Sequence, residues 1–230
     1  MNAKSVLVIG ASGRTGKHII HQIVQTKNAA TKIFAFCRDL SKLDADTTKL
    51  CSGVIKGDAR NQGDLERAVT KSEADLVIIS IGNGDSVKKS DIRTASANAL
   101  VSVLSKPENR NIKALVISST GSGGSRIKIG FGIGKLIEFH LRHVLKDHDG
   151  QESAFLESMK TRTMIVRPTA LAENSSTGMM TVFRDRERSP TIKTDRKDLA
   201  EWLVREVICS QKGSNDYDRF GSKPVNLTTL

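Results

Sequence analysis

Short apolar runs alternate with stretches in which apolar residues recur every three or four positions, and this alternation continues along most of the chain. Val6 to Ile9 is the first run, and Ile19, Ile20, Ile23 and Val24 then fall on one face of a helix. Lys32 to Cys37 predicts a second strand and Gly53 to Lys56 a third. A helix capped by Asp64 follows and runs through Ser72, with Leu65, Ala68 and Val69 turned inward. Asp75 to Ile79 and Ala114 to Ile117 predict strands four and five, with a helix from about Ser90 to Ser105 between them. A helix then runs from Lys135 onward and Thr163 to Val166 forms strand six. Thr194 and Asp195 open a helix with Leu199, Trp202, Leu203 and Val207 at helical spacing, Trp202 belonging to the core. Lys223 to Leu227 supplies a final strand. This order predicts an α/β fold, a Rossmann-like doubly wound parallel sheet with helices on both faces. No linker or repeat divides the chain, so residues 1–230 read as one domain, with a small substrate-side region within about 121–190.

Composition narrows the classes. Hydrophobic residues make up 38% and aromatics only 4%, which suits an aliphatic sheet protein and leaves no platform for stacking bases. The net charge of +11 is spread along the chain and not gathered into a basic arm, so it fits a polyanionic small molecule better than a nucleic acid. No apolar run approaches the length of a membrane span, and a strand starting at Val6 leaves no room for a signal peptide. Cys37, Cys51 and Cys209 are odd in number, scattered and without a CxxC pair. They read as reduced thiols of a cytoplasmic protein, a nuclear location being the other compartment they allow.

The candidate chemistry begins where the first strand ends. Gly10, Gly13 and Gly16 form GASGRTG, a glycine turn between a strand and a helix. Gly10 allows the tight turn, Gly13 lets backbone approach a pyrophosphate, and Gly16 lets the helix pack closely. Ser12, Arg14 and Thr15 complete the cradle, and the helix N-terminus offers free N–H groups to the anion. The phosphate loop of nucleoside triphosphatases is excluded: five residues separate Gly10 from Gly16, and Lys17 is followed by His18, so no hydroxyl is placed for magnesium. Arg38 ends the second strand, 22 residues after Gly16. An arginine there accommodates the 2′-phosphate of NADP, with Arg14 able to close on the same group, whereas an acid there would hold the ribose of NAD. Both arginines could also be ordinary surface residues, and Asp39 could still meet a ribose. The small residues after strand four, Ser80, Gly82 and Asn83, permit close approach of a ribose or nicotinamide, and a plain turn would use the same residues.

The GxxGxxG spacing resembles the short-chain dehydrogenase/reductase superfamily, and GASGRTG looks like its atypical branch, nearest to NmrA-like proteins and the flavin and biliverdin reductase group. The resemblance implies an NADP(H) cofactor, with Asp58 and Ala59 beside the adenine. It also implies that a serine at the end of strand five bonds the substrate carbonyl, the candidates being Ser118, Ser119 and Thr120. Thr163 to Leu171 resembles the strand that leads into the substrate pocket in this branch. Glu152 matches an acidic position of the extended members, counted from its distance to strand six.

One departure matters for chemistry. Counting back from Glu152 puts His148 where the family has its lysine and Val144 where it has its tyrosine, while the only tyrosine, Tyr217, lies far along the chain. Either His148 supplies a proton, a flavin-type acceptor needs no phenol, or the chain does not catalyse; His148 also reads simply as an exposed helical histidine. Gly121 to Gly134 reads as a mobile lid or a flexible connection, and Phe183 to Pro190 as a solvated charge run. The pairs His18 and His21, and His140 and His143, lack a carboxylate or thiol at ligand spacing, so no metal is expected. The resemblance implies an NADPH-dependent reductase passing hydride to a carbonyl, flavin or quinone-like small-molecule acceptor. The alternative is a non-catalytic NADP(H)-binding regulator acting through a protein partner.

Overall fold

The computed structural model describes residues 3–26, 31–129, 132–185, 187–208, 220–221 and 223–230. Among these, β1 (Ser5–Ile9), β2 (Lys32–Cys37), β3 (Gly53–Lys56), β4 (Leu76–Ile79), β5 (Lys113–Ile117) and β6 (Thr163–Pro168) form parallel pairs. Together with β10 (Val225–Thr229) and β8 (Met180–Phe183), they make an eight-stranded sheet in the order β3-β2-β1-β4-β5-β6-β10-β8. Only β8 runs antiparallel to its neighbour. The order reverses beside β1, and that reversal opens a crevice at the carboxyl ends of β1 and β4.

Each strand serves two cores because alternate side chains point to opposite faces. Val6 and Val8 of β1 pack on one side with Ile19, Ile20 and Ile23 of α1 (Arg14–Gln25) and Leu199 and Trp202 of the helix Arg196–Leu203. Leu7 and Ile9 pack on the other with Leu65 of the helix Gln62–Ser72, Leu100 of the helix Ile92–Leu104 and Phe155 of the helix Arg142–Met159. In chain order these are α3 (Gln62–Ser72), α4 (Ile92–Leu104), α6 (Arg142–Met159) and α7 (Arg196–Leu203), with α2 at Ala45–Lys49 and α5 at Ile133–His140.

Several expectations are adjusted. The cap of α3 is Asn61, whose side chain accepts from the Asp64 N–H; Asp64 instead accepts from the Asp58 N–H at 2.9 Å and so shapes the turn after β3. The helix expected from Lys135 is two helices, because Leu141 leaves helical geometry with ψ near 6°. Asp195 does cap α7, but Lys193–Asp195 is itself the strand β9, paired in parallel with β7 (Ala170–Ala172). The charge run contributes to structure: Phe183 is buried in β8 and Asp185 pairs with Arg167. Tyr217 and Cys209 lie outside the described residues.

The packing of α4 on α6 is held by a cap supplied from across the interface. Asp91, at the N-terminus of α4, caps nothing. Asp147 of α6 takes the role, accepting from the Arg93 N–H at 3.1 Å and the Thr94 N–H at 2.9 Å. It also holds the buried Arg93 guanidinium at 3.3 Å. Gly150 permits the approach, since a Cβ there would sit 2.3 Å from Thr94 Oγ1. Asp147→Asn should therefore leave a buried guanidinium without its charge partner and cost about 3–5 kcal/mol. Urea denaturation against the exposed control Glu157→Gln checks this, and equal midpoints would mean that the carboxylate is idle.

Candidate functional site

Packing alone fixes two of the three glycines of the first turn. Gly10 has φ +88°, and a Cβ on it would lie 2.3 Å from the Ser80 carbonyl oxygen. A Cβ on Gly16 would lie 2.5 Å from the Gly10 carbonyl oxygen. Gly13 is less constrained, its nearest such contact being 3.2 Å, so its bare backbone is explained better by what must approach from outside. Gly13 is the N-cap of α1 and carries no side chain to cap it, and the first turn has no acidic residue. The Arg14, Thr15 and Gly16 N–H groups have no partner among the described residues. Three free donors at the positive end of a helix dipole fit a dinucleotide pyrophosphate.

From this turn a cavity of about 180 Å³ runs over β2 and β3, lined by Ser12, Arg38, Asp58 and Ala59 among others. Arg38 is exposed and has no ion-pair partner among the described residues. Asp39 turns away: its carboxylate accepts from the Ser41 N–H at 3.1 Å and the Ser41 hydroxyl at 2.7 Å, so it does not line the cavity. Asp58 accepts from Arg60 Nη2 at 2.8 Å, and these hydrogen bonds pull its carboxyl down to about 2. Cys37, in the same wall, is pushed up by burial and stays a thiol. Arg14 does not close on this cavity. Standing at the first position of α1, its side chain reaches Asp85 and lies near Arg196, on the opposite side of the turn.

A second cavity, of about 330 Å³, holds Arg14, Thr15, Ser118, Ser119, His148, Arg93 and Arg196 in its wall. The two cavities share Gly13, Ser80, Ile81 and Gly82. Asn83 lines neither, and Gly16 lies below the turn as packing. Thr120 also stands outside the second cavity, its hydroxyl donating to the Arg167 carbonyl at 2.9 Å.

Behind the cavity wall lies a buried ionic network that the sequence only partly announced. Glu152 is 1% exposed and Arg167 2%, and they pair through two hydrogen bonds of 2.9 and 2.5 Å. Arg167 reaches on to Asp185 at 3.1 Å and to the Gly123 carbonyl at 3.2 Å. Ser118 donates its hydroxyl hydrogen to Glu152. Ser119 makes only a 3.2 Å contact to the neighbouring Thr120 carbonyl. The first half of the glycine-rich loop is tied down, with the Gly123 N–H on Asp149 at 2.7 Å and the Ile127 N–H on Glu138 at 2.8 Å.

His148 is buried, which corrects the reading of it as an exposed helical histidine. Burial, and then the Arg93 charge, push it down to about 3, so the imidazole is neutral at physiological pH. Its Nδ1 has no hydrogen-bond partner among the described residues. Arg93, Arg196 and Asp147 were missed by sequence reasoning; each is a charged residue inside a helix, a position that ordinarily faces water. His18 pairs with Glu173 at 3.1 Å and His21 with the Thr47 hydroxyl at 3.0 Å. Among the described residues no group of three His, Cys, Asp or Glu could hold a metal, and no helix is long and apolar enough to cross a membrane.

Known structures share this architecture. A short-chain dehydrogenase/reductase from Veillonella parvula DSM 2008, in ethylated form, aligns with a TM-score of 0.76 at 16% identity over 98% of this chain and 94% of its own. A wide-type short-chain dehydrogenase/reductase from the same organism, in complex with NADP, aligns at 0.71 with 16% identity and the same coverage. ChuY, an anaerobillin reductase from Escherichia coli O157:H7, aligns at 0.67 with 14% identity over 97% of this chain and 96% of its own. At these identities the likeness is one of fold. The sequence itself carries more, for the model of the NAD(P)H-binding family matches residues 10–208, and the chain belongs to that family.

Proposed function

We propose that the protein is an NADPH-dependent reductase that passes hydride to a carbonyl or similarly conjugated acceptor beside Ser119. The observation that carries this reading is the junction of the two cavities. The wall of one bears Arg38 and Asp58, that of the other bears Ser119 and His148, and they meet over Gly13 and Ser80 to Gly82. A dinucleotide lying across the α1 N-terminus would span both. When bound, NADPH would supply a hydride, two electrons and one hydrogen, to the acceptor carbon and be left as NADP⁺. The carbonyl oxygen then takes a proton and the product is an alcohol.

This chain's residues set where that happens. The α1 N–H groups would hold the pyrophosphate, and Arg38, with its five donors, the adenosine 2′-phosphate. Of the three hydroxyls after β5, Ser118 has given its hydrogen to Glu152 and Thr120 has given its own to a backbone carbonyl, both away from the cavity. Ser119 can swing from its weak local contact to polarise an acceptor oxygen. His148 is neutral at working pH, so it is not the proton source, and water delivers the proton. That arrangement explains how the site would work with valine at the tyrosine position.

The test is NADPH oxidation against a panel of aldehydes, quinones and flavins, after titration has established binding. Tight NADPH binding without turnover on any acceptor would replace this reading with that of a cofactor-sensing regulator. Arg38→Asp should weaken NADPH binding by more than about tenfold relative to NADH; equal losses for both cofactors would remove the 2′-phosphate role. Ser119→Ala should lower kcat/KM by about 10–100-fold with NADPH affinity unchanged, and a larger loss from Ser118→Ala would transfer the role to that residue. His148 gives a pH signature. The unfolded chain takes up a proton below its ordinary value of about 6.5, whereas the folded chain resists until about 3. Stability is therefore lost as pH falls through that window. The melting temperature of His148→Gln should fall less steeply over the same range than that of the parent, and parallel curves would show that His148 is not held neutral.

A further inference from the structure

A third cavity opens off the reaction side and differs from the other two in chemistry. It measures about 150 Å³ and most of its surface is the aliphatic side chains of Ile127, Ile129, Ile137, Leu141 and Ile192, although Thr120, Arg126, Lys128, Ser189 and Thr191 also line it. It shares Ser119, Thr169 and Ala170 with the reaction cavity, so the two meet at the one hydroxyl after β5 that is free to turn. Its apolar wall comes from separate stretches, residues 127–129, residues 137–141 and the connection that carries Ile192. The first and the last are held in place. The Ile127 N–H is fixed on Glu138 at 2.8 Å, and Thr191 beside Ile192 is hydrogen-bonded to Thr228 at 2.5 Å.

A mostly apolar recess of about this volume holds one benzene-sized ring. We infer that this recess is a second acceptor subsite, which takes one six-membered apolar ring attached next to the reducible carbonyl. The inference rests on the reductase reading and narrows it to aryl or cyclohexyl carbonyl compounds. In this arrangement the carbonyl oxygen meets Ser119, the reacting carbon faces the reaction cavity, and the ring packs among the isoleucines. Burying such a ring supplies binding energy remote from the reacting bond, and it fixes which face of the carbonyl is presented. Fused two-ring groups exceed the recess, so the subsite also sets an upper size.

The test reads binding apart from turnover. Isoleucine methyl groups are labelled with carbon-13, the protein is saturated with NADP⁺, and benzyl alcohol, a product-type probe that cannot accept hydride, is titrated in. The methyl signals of Ile127, Ile129, Ile137 and Ile192 should shift saturably, while those of Ile20 and Ile78 in the core stay still. Ile137→Phe fills the recess and should weaken benzyl alcohol at least about tenfold with NADP⁺ affinity intact; Ile137→Ala should admit 2-naphthalenemethanol, which the parent excludes. Absence of shifts in the parent, or equal affinity in parent and Ile137→Phe, would overturn the subsite. Saturable binding of benzyl alcohol with no NADPH oxidation on any acceptor of the panel, benzaldehyde included, would support the recess as a ring-binding site and overturn the reductase reading alone.

Discussion

The approach of two backbones at the end of β1 is the constraint on which the molecule depends. Gly10 lies against the Ser80 carbonyl at the end of β4, and Gly16 lies against the carbonyl of Gly10. A side chain at either position would push β4 or α1 outward. The crevice between β1 and β4 would then lose its floor, and the α1 N–H groups would no longer face it. Both cavities run out from this point, one over β2 and β3 and the other toward β5 and α6. The helix start and the cavity junction thus depend on two α-carbons that carry no side chain.

The reaction side is built on charge buried in pairs. Asp147 joins α6 to the start of α4, and the next residue along α6, His148, stands in the cavity wall beside Arg93. Glu152, one turn further, fixes Arg167 and the Ser118 hydroxyl together. A helix that buries an aspartate, a histidine, a glutamine and a glutamate gains little from apolar transfer over those turns. Such pairs hold a geometry more than they add stability, and the geometry held here is that of the wall of the second cavity.

Much of the sheet was legible in the sequence, because a parallel strand buried on both faces reads as an unbroken aliphatic run. β2 and β3 fall on the residues expected of them, and the glycine turn sits between strand and helix as its spacing required. The α6 face was not legible. Leu145, His148, Gln151, Glu152, Phe155 and Met159 recur at helical spacing, yet half of them are polar, so the buried stripe looks like a solvated one. The same holds for Arg93 and Arg196, whose burial depends on carboxylates far along the chain. The direction taken by Arg14 could not be read either, since a residue at the start of a helix can leave toward either cavity. The short strands β7, β8 and β9 carry three or four residues each, too few to show a period.

The three N–H groups left without partners at the start of α1 also bear on the fate of the protein in a cell. A helix end with free donors and no capping side chain is a local weakness in the nucleotide-free chain. A ligand that binds only the folded form adds stability in proportion to the logarithm of its concentration over Kd. The population of opened, protease-accessible molecules therefore falls as the dinucleotide pool rises. A bound dinucleotide would in that sense complete the fold, giving α1 the partners that Gly13 does not.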